Sequence, residues 1–145
     1  MDNFQIRSLR VEDAEEITRI YAEITRRPVE PDFKSVVEEH ARSDEEACFV
    51  AEHQGKVVGF MISYILTAGF GETKSAWIAT LGVSPNFMGQ GIGASMAKKI
   101  FEIYKAAGIE NVYTTVRWDS TDMLSFFKTL GFDRSRFINL RKVID

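Results

Sequence analysis

Gly89, Gly91 and Gly93 stand at every second position of one short stretch, Phe87-Met88-Gly89-Gln90-Gly91-Ile92-Gly93-Ala94. An apolar segment with strand character, residues 75–84, precedes it and ends at Pro85. A periodic helical pattern follows, over residues 92–107. Glycines placed between a strand and a helix suit an anion. Without Cβ atoms the backbone reaches positive φ and comes close to a ligand. The first helical turn adds unpaired N–H groups and the positive end of the helix dipole. The spacing therefore predicts a phosphate or pyrophosphate held where Gly91 opens the helix.

Other readings compete for the same loop. A bare turn with a helix cap needs one glycine, not three in alternation. A P-loop needs Lys-Ser or Lys-Thr after its last glycine, and none follows Gly93. Gly89-x-Gly91-x-x-Ala94 fits a dinucleotide fingerprint formally. That motif opens a parallel sheet and needs an acid at the end of the next strand. Here the unit follows antiparallel strands, the next strand ends Arg117-Trp118, and Asp119 reads as part of a helix cap.

The elements that must position this loop are legible in order. Residues 4–9 alternate as a strand. Glu12 and Asp13 start a helix with Ala14, Ile17, Ile20, Tyr21 and Ile24 on one face, closed by Arg26 and Arg27. Pro28 and Pro31 mark a loop. Asp32 is expected to cap a second helix to about Arg42, with Phe33, Val36, Val37 and His40 on one face. Residues 47–53 and 57–66 read as strands joined by Gln54-Gly55-Lys56, with Gly59 marking a bulge. Residues 67–74 form a glycine-containing loop. Beyond the glycine-loop helix, Gly108 is its C-cap and residues 111–117 are a strand rich in β-branched side chains. Strand, loop, helix and strand then make a right-handed parallel crossover. Ser120 caps a last helix to Leu130, which Gly131 ends. Phe132 begins a final β region, alternating over residues 137–144, with a tight turn near Arg134-Ser135 or a single long strand. An edge left open there can pair with another subunit as a homodimer.

Composition narrows the function. The 145 residues, 45% hydrophobic, can bury one core and suggest one domain, 1–145. A formal net charge of −3 gives no reason to expect a nucleic-acid partner. Cys48 is the only cysteine and sits in a strand pattern, so it reads as a buried, inert thiol. No metal is expected. No apolar run is long enough for a membrane and no signal-peptide pattern is visible, so a soluble cytoplasmic protein is expected.

Val83-Ser84-Pro85 before Met88-Gly89-Gln90-Gly91-Ile92-Gly93, with Leu130-Gly131-Phe132 after it, adds a further signal. Together with the element order, nearly the whole chain resembles the GNAT superfamily of N-acetyltransferases. The family's loop motif is Arg/Gln-x-x-Gly-x-Gly/Ala, and Met88 departs from it at the first position. The resemblance implies an α/β fold (an α+β mixed sheet): a central, mostly antiparallel sheet with a parallel splayed pair and about four helices. It implies acetyl-CoA as co-substrate and acetyl transfer to a primary amine of a small molecule, amino acid or protein. The backbone of Met88, Gly89, Gln90, Gly91, Ile92, Gly93 and Ala94 would grip the pyrophosphate. Leu81, Gly82 and Val83 would flank the pantetheine arm, one of their amides serving as oxyanion donor. Ser120 falls beside that arm, where the family often has asparagine, and Lys128 could meet the 3′-phosphate. Phe127 occupies the position of the family's proton-donating tyrosine, and a phenyl ring donates nothing. Tyr113 or Tyr64 could serve as the acid, or the thiolate could leave unprotonated, since a thiol's reference pKa is about 8.5. Glu72, Asp119 and His40 are the candidates for a base, with water or an already neutral amine as alternatives. Glu30, Asp32 and Glu72 could attract a cationic amine. A coenzyme A-binding sensor that has lost catalysis is the competing expectation.

Overall fold

In chain order the elements are β1 (Gln5–Ser8), α1 (Ala14–Thr25), α2 (Phe33–Ala41), β2 (Phe49–His53), β3 (Lys56–Thr67), β4 (Lys74–Val83), α3 (Ile92–Ala106), β5 (Val112–Thr114) and α4 (Thr121–Thr129). They belong to a computed structural model that describes residues 4–67 and 73–144. The chain divides into two units after Thr115. The first holds the sheet and α1 to α3; the second holds α4 and the residues after it.

The five strands lie in sequence order. β1, β2, β3 and β4 pair antiparallel, and β5 joins β4 in parallel. Gln54 (φ 51) and Gly55 (φ 79) make the two-residue turn between β2 and β3, where His53 pairs with Lys56. Two consecutive left-handed residues give that hairpin its twist. The β4–α3–β5 unit is parallel, as its strand–helix–strand pattern requires.

Helices cover both faces of the sheet. Ile17, Ile20 and Val37 from α1 and α2 share a core with Cys48, Val50, Phe60 and Ile62. The opposite face meets α3: a Cβ built on Gly59 would lie 3.2 Å from Ile92 Cγ2 and 3.5 Å from Met96 Cε. Gly59 therefore serves close packing, and it is not itself the extra residue of a bulge. The register slips one place earlier, since Ala51 pairs with Gly59 but Glu52 pairs with Val57, leaving Val58 extra.

A buried polar group ties α3 to the sheet. Tyr104 Oη accepts from Ala47 N at 2.9 Å and donates to Ser63 Oγ at 2.7 Å, while Ser63 Oγ donates to Ala47 O. On the opposite face Arg7 donates two bonds to Asp13 and one to Glu52, each 2.8 Å, and the two carboxylates hold its guanidinium charged.

The helix N-termini differ in part from expectation. A short 3₁₀ turn, Val11–Asp13, precedes α1, and Asp13 Oδ2 accepts from Arg10 N at 2.8 Å. Asp32 and Ser120 stand at the N-cap positions of α2 and α4, but neither side chain makes a cap hydrogen bond. The C-terminal glycines behave as expected. Gly108 (φ 82) donates to Lys105 O and Ile109 N to Tyr104 O, the paired bonds of a Schellman motif.

In the second unit, Gly131 (φ 93) repeats that motif, with bonds to Lys128 O and from Phe132 N to Phe127 O. The Phe127 and Phe132 rings close it at 5.0 Å. The expected final β region is absent: residues 132–144 contain no strand, and a bend falls at Arg136 in place of a turn at 134–135. The expected strand over 111–117 shortens to Val112–Thr114.

Candidate functional site

β4 is two different strands in succession. From Ala76 to Ile78 it is paired on both sides, with β3 and with β5. Then Ile62 pairs with Thr80 while Ser63 pairs with Ile78, so Ala79 is an extra residue. A bulge bends its strand and ends pairing. The parallel register stops at Ile78 and Thr114, where Thr114 Oγ1 donates to Ile78 O at 3.0 Å. Beyond it, Thr80, Leu81, Gly82 and Val83 pair with β3 alone among the described residues. About 13 Å of β4 edge is thus without a strand partner, at roughly 3.3 Å per residue. Such an edge offers extended backbone groups to an extended ligand carrying amides.

Gly82 is dictated by sterics. A Cβ there would lie 2.7 Å from Ile24 Cδ1 and 2.9 Å from Phe60 Cε1. The sequence placed Gly82 in the site but gave no sign of Ile24, which reaches it from α1. Nor does any residue type announce the bulge at Ala79.

The edge runs into the glycine loop. Ser84 N donates to Val58 O at 2.8 Å, and a 3₁₀ turn, Pro85–Phe87, leads to Met88, which is 55% exposed. Gly89 has φ 81 and Gly91 φ 80, and a Cβ on either would meet nothing within 4 Å. These two glycines answer a backbone requirement, not a packing one. Gly91 is the N-cap of α3, and its carbonyl accepts the bond from Ser95 N at 3.0 Å. Among the described residues, no backbone acceptor is assigned to the N–H groups of Gly89, Gln90, Gly91, Ile92, Gly93 or Ala94. Unpaired amides at the start of a 15-residue helix make an anion cradle. The loop and the open β4 edge together match a ligand with an amide-bearing arm and a diphosphate.

Of the proposed acids and bases, Tyr113, Tyr64 and His40 belong to one aromatic row. Tyr113 on β5 stacks on Trp77 of β4 at 4.9 Å, and Trp77 stacks on Tyr64 of β3 at 6.5 Å. This aromatic row crosses three strands at the middle of the parallel pairing. His40 extends the row at 6.5 Å from Tyr64 and bonds Glu46 at 2.8 Å through Nδ1. Glu72 lies outside the described residues. Asp119 takes two 3.0 Å bonds from Arg117, whose charge and hydrogen bonds hold its carboxyl below the usual range. That environment favours a fixed carboxylate over a proton acceptor near neutral pH. In the second unit Ser120 O accepts from Leu124 N at 3.0 Å, Lys128 is exposed, and Phe127 is only 4% exposed. Phe127 is thus spoken for by its contact with Phe132, which the Leu130-Gly131-Phe132 signature did not reveal.

Residues 14–132 match the profile of the acetyltransferase (GNAT) family. An uncharacterized N-acetyltransferase of Methanocaldococcus jannaschii is 31% identical over 100 residues, 67% of this chain and 43% of that protein. A mycothiol acetyltransferase of Amycolatopsis mediterranei is 29% identical over 100 residues, 67% of this chain and 33% of its own length. The chain thus spans less than half of these curated relatives. Among solved structures, an aminoglycoside acetyltransferase from an uncultured soil metagenomic sample, in complex with trehalose, superposes with a TM-score of 0.81 at 21% identity, covering 99% of this chain and 97% of that one. An aminoglycoside N-acetyltransferase in complex with CoA gives 0.80 at 19% identity, covering 96% and 94%.

Proposed function

Because the chain belongs to the GNAT acetyltransferase family, we propose that it is an acyl-CoA-dependent N-acetyltransferase acting in the cytoplasm. It moves an acetyl group directly from acetyl-CoA to a primary amine of a small molecule, amino acid or protein. The observation that carries this reading is the continuity of the open β4 edge with the glycine loop. The N–H groups from Gly89 to Ala94 receive the diphosphate, with Met88 beside them, and Lys128 meets the 3′-phosphate. Leu81, Gly82 and Val83 pair with the pantetheine arm, and by the family resemblance Ser120 and Phe127 count among the coenzyme-binding residues. Two copies of the chain associate in this reading, and no nucleic acid or membrane is involved.

The chemistry then runs in one transfer. A neutral amine attacks the thioester carbonyl carbon, and the new C–N bond forms as the carbonyl electrons move to oxygen. An amide of Leu81, Gly82 or Val83 stabilises that oxyanion. The C–S bond breaks as the carbonyl re-forms, and the sulfur leaves as thiolate. Tyr113 supplies its proton, and the proton of the attacking ammonium passes to Glu72 or to water. Asp119 is the weaker choice of base because the hydrogen bonds and charge of Arg117 lower its proton affinity.

One observation favours a second reading, a sensor that binds coenzyme A without turnover: the family's tyrosine position is Phe127, buried against Phe132. Acetyl-CoA consumption over a panel of small amines, amino acids and peptide N-termini separates the two. Turnover that falls about 10²-fold in Tyr113→Phe with unchanged KM for acetyl-CoA supports the acid role. Binding of acetyl-CoA with no turnover on any acceptor points to the sensor.

A further inference from the structure

The ladder between β2 and β3 stops before its register requires. Phe49 pairs with Met61, so the next pair of the same kind is Ala47 with Ser63. Leu9 N donates to Cys48 O, which turns the backbone of Cys48 toward β1 and that of Ala47 toward β3. Side chains nevertheless stand between the two strands there. Tyr104 Oη accepts from Ala47 N at 2.9 Å, and Ser63 Oγ donates to Ala47 O. Cys48 Sγ donates to Ser63 O at 3.3 Å, and Glu46 Oε2 accepts from Ile65 N at 3.3 Å. Four backbone groups that a continued ladder would use are held by hydroxyl, thiol and carboxylate groups instead. Tyr104 and Ser63 are buried, so water does not compete for these bonds.

β4 changes partners at the same level of the sheet. Ser63 pairs with Ile78 and Ile62 with Thr80, with Ala79 extra between them. Ile78 is also the last β4 residue paired with β5. The sheet is therefore two overlapping halves. β2 accompanies β3 only as far as Met61, and β5 accompanies β4 only from Ala76 to Ile78. Ser63 belongs to both irregularities. Its hydroxyl meets Tyr104 and Ala47, and its backbone pairs with Ile78 beside the extra residue.

We propose that Tyr104, acting through Ser63, is a positioning residue for the open β4 edge. Its hydroxyl occupies Ala47 N and keeps β2 from zipping onto β3 past Met61. That preserves the register slip at Ser63 and, with it, the departure of β4 from β5. Without the hydroxyl, Ala47 N turns to Ser63 O, β3 straightens, and β4 closes on β5 over residues 80–83. The proposal rests on the reading of that edge as the seat of the pantetheine arm.

The test compares CoA with adenosine 3′-phosphate 5′-diphosphate, its fragment without the pantetheine arm, by calorimetric titration of the full chain. Tyr104→Phe should bind CoA about tenfold more weakly and the fragment as the native chain does. Ser63→Ala should behave alike, and the double variant should lose no more than either single one, because both groups lie on one path. Val37→Ala truncates the core shared by α1 and α2 and serves as a destabilised control that should bind both ligands normally. In the unliganded Tyr104→Phe chain, amide hydrogen exchange at residues 81–83 should slow as the edge closes. Equal weakening of both ligands, or of neither, overturns the proposal, as does a selective loss of CoA in Val37→Ala. Unchanged or faster exchange overturns it too. A native chain that binds neither ligand refutes the coenzyme reading, and the exchange result alone then decides the positioning role.

Discussion

Gly82→Ala should damage the fold by an amount that depends on a residue 58 positions away in sequence, Ile24. The new Cβ would lie 2.9 and 3.1 Å from two ring carbons of Phe60 and 2.7 Å from Ile24 Cδ1. Ordinary carbon contacts begin at about 3.5 Å, so the ring must retreat by about half an ångström. Phe60 is fully buried and has nowhere free to go, whereas Ile24 Cδ1 is a chain end and can swing. Overpacking of this kind costs about 2 kcal/mol. Ile24→Val deletes the nearest offending atom and by itself costs about 1 kcal/mol. The double variant should therefore lose less than the two singles combined, with a coupling of about 1 kcal/mol. Urea unfolding of the four proteins reads this directly. Because Gly82 lies on the open half of β4, Gly82→Ala should also raise KM for acetyl-CoA, and Ile24→Val should recover part of that loss. Additivity within about 0.3 kcal/mol, or a neutral Gly82→Ala, would refute the packing account.

Gly91→Ala should cost about 1 kcal/mol in thermal or urea unfolding through its left-handed φ alone, because the space around it is open, and Gly89→Ala should behave alike. Calorimetric titration with CoA should show both variants binding more weakly. Met88→Arg restores the family's cation beside the loop, so acetyl-CoA should bind severalfold tighter at low salt, an advantage that fades as ionic strength rises. Burial pushes the Cys48 thiol from 9.0 up to about 12. Its folded value exceeds the unfolded one, so its contribution to stability is complete below about pH 9. It is lost as pH rises toward 12, at about 1.4 kcal/mol per unit. Unfolding measured between pH 8 and 11 should show a steeper decline for the native chain than for Cys48→Ala, and Cys48 should resist thiol reagents until the chain unfolds.

Sequence made the elements and the loop legible because each rests on local chemistry. Helix faces follow 3.6-residue spacing, and the left-handed positions at Gly55, Gly89, Gly91, Gly108 and Gly131 are the ones that glycine marks. What stayed hidden depends on contacts distant in sequence. Gly59 suggested a bulge, yet it is there because Ile92 and Met96 press on it, and the extra residue is its neighbour Val58. Asp32 and Ser120 have the right side chains for caps but leave those bonds unmade. The alternation over 137–144 is genuine as a pattern, but a pattern cannot say whether an edge is within reach, and those residues form no strand. At the site, the loop glycines were readable, whereas Phe127's commitment to Phe132 and Asp119's to Arg117 became visible only in three dimensions.

The bulge at Ala79 has a consequence at the level of a single codon. Ile78 and Thr80 point to opposite faces of the sheet, as their partners Ser63 and Ile62 show, although residues two apart in a regular strand share a face. Deleting Ala79 would join Ile78 to Thr80 in ordinary alternation and leave every other side chain of β4 on its present face. The shortened chain should fold with its core intact while β4 runs straight alongside β5, closing the edge offered to a ligand. Deleting Thr80 or Ile78 would restore the register as well, but would put the small Ala79 side chain in the vacated place. By this reasoning a plain structural sheet and a ligand-binding one differ by one inserted residue. That is a short step for a gene to take.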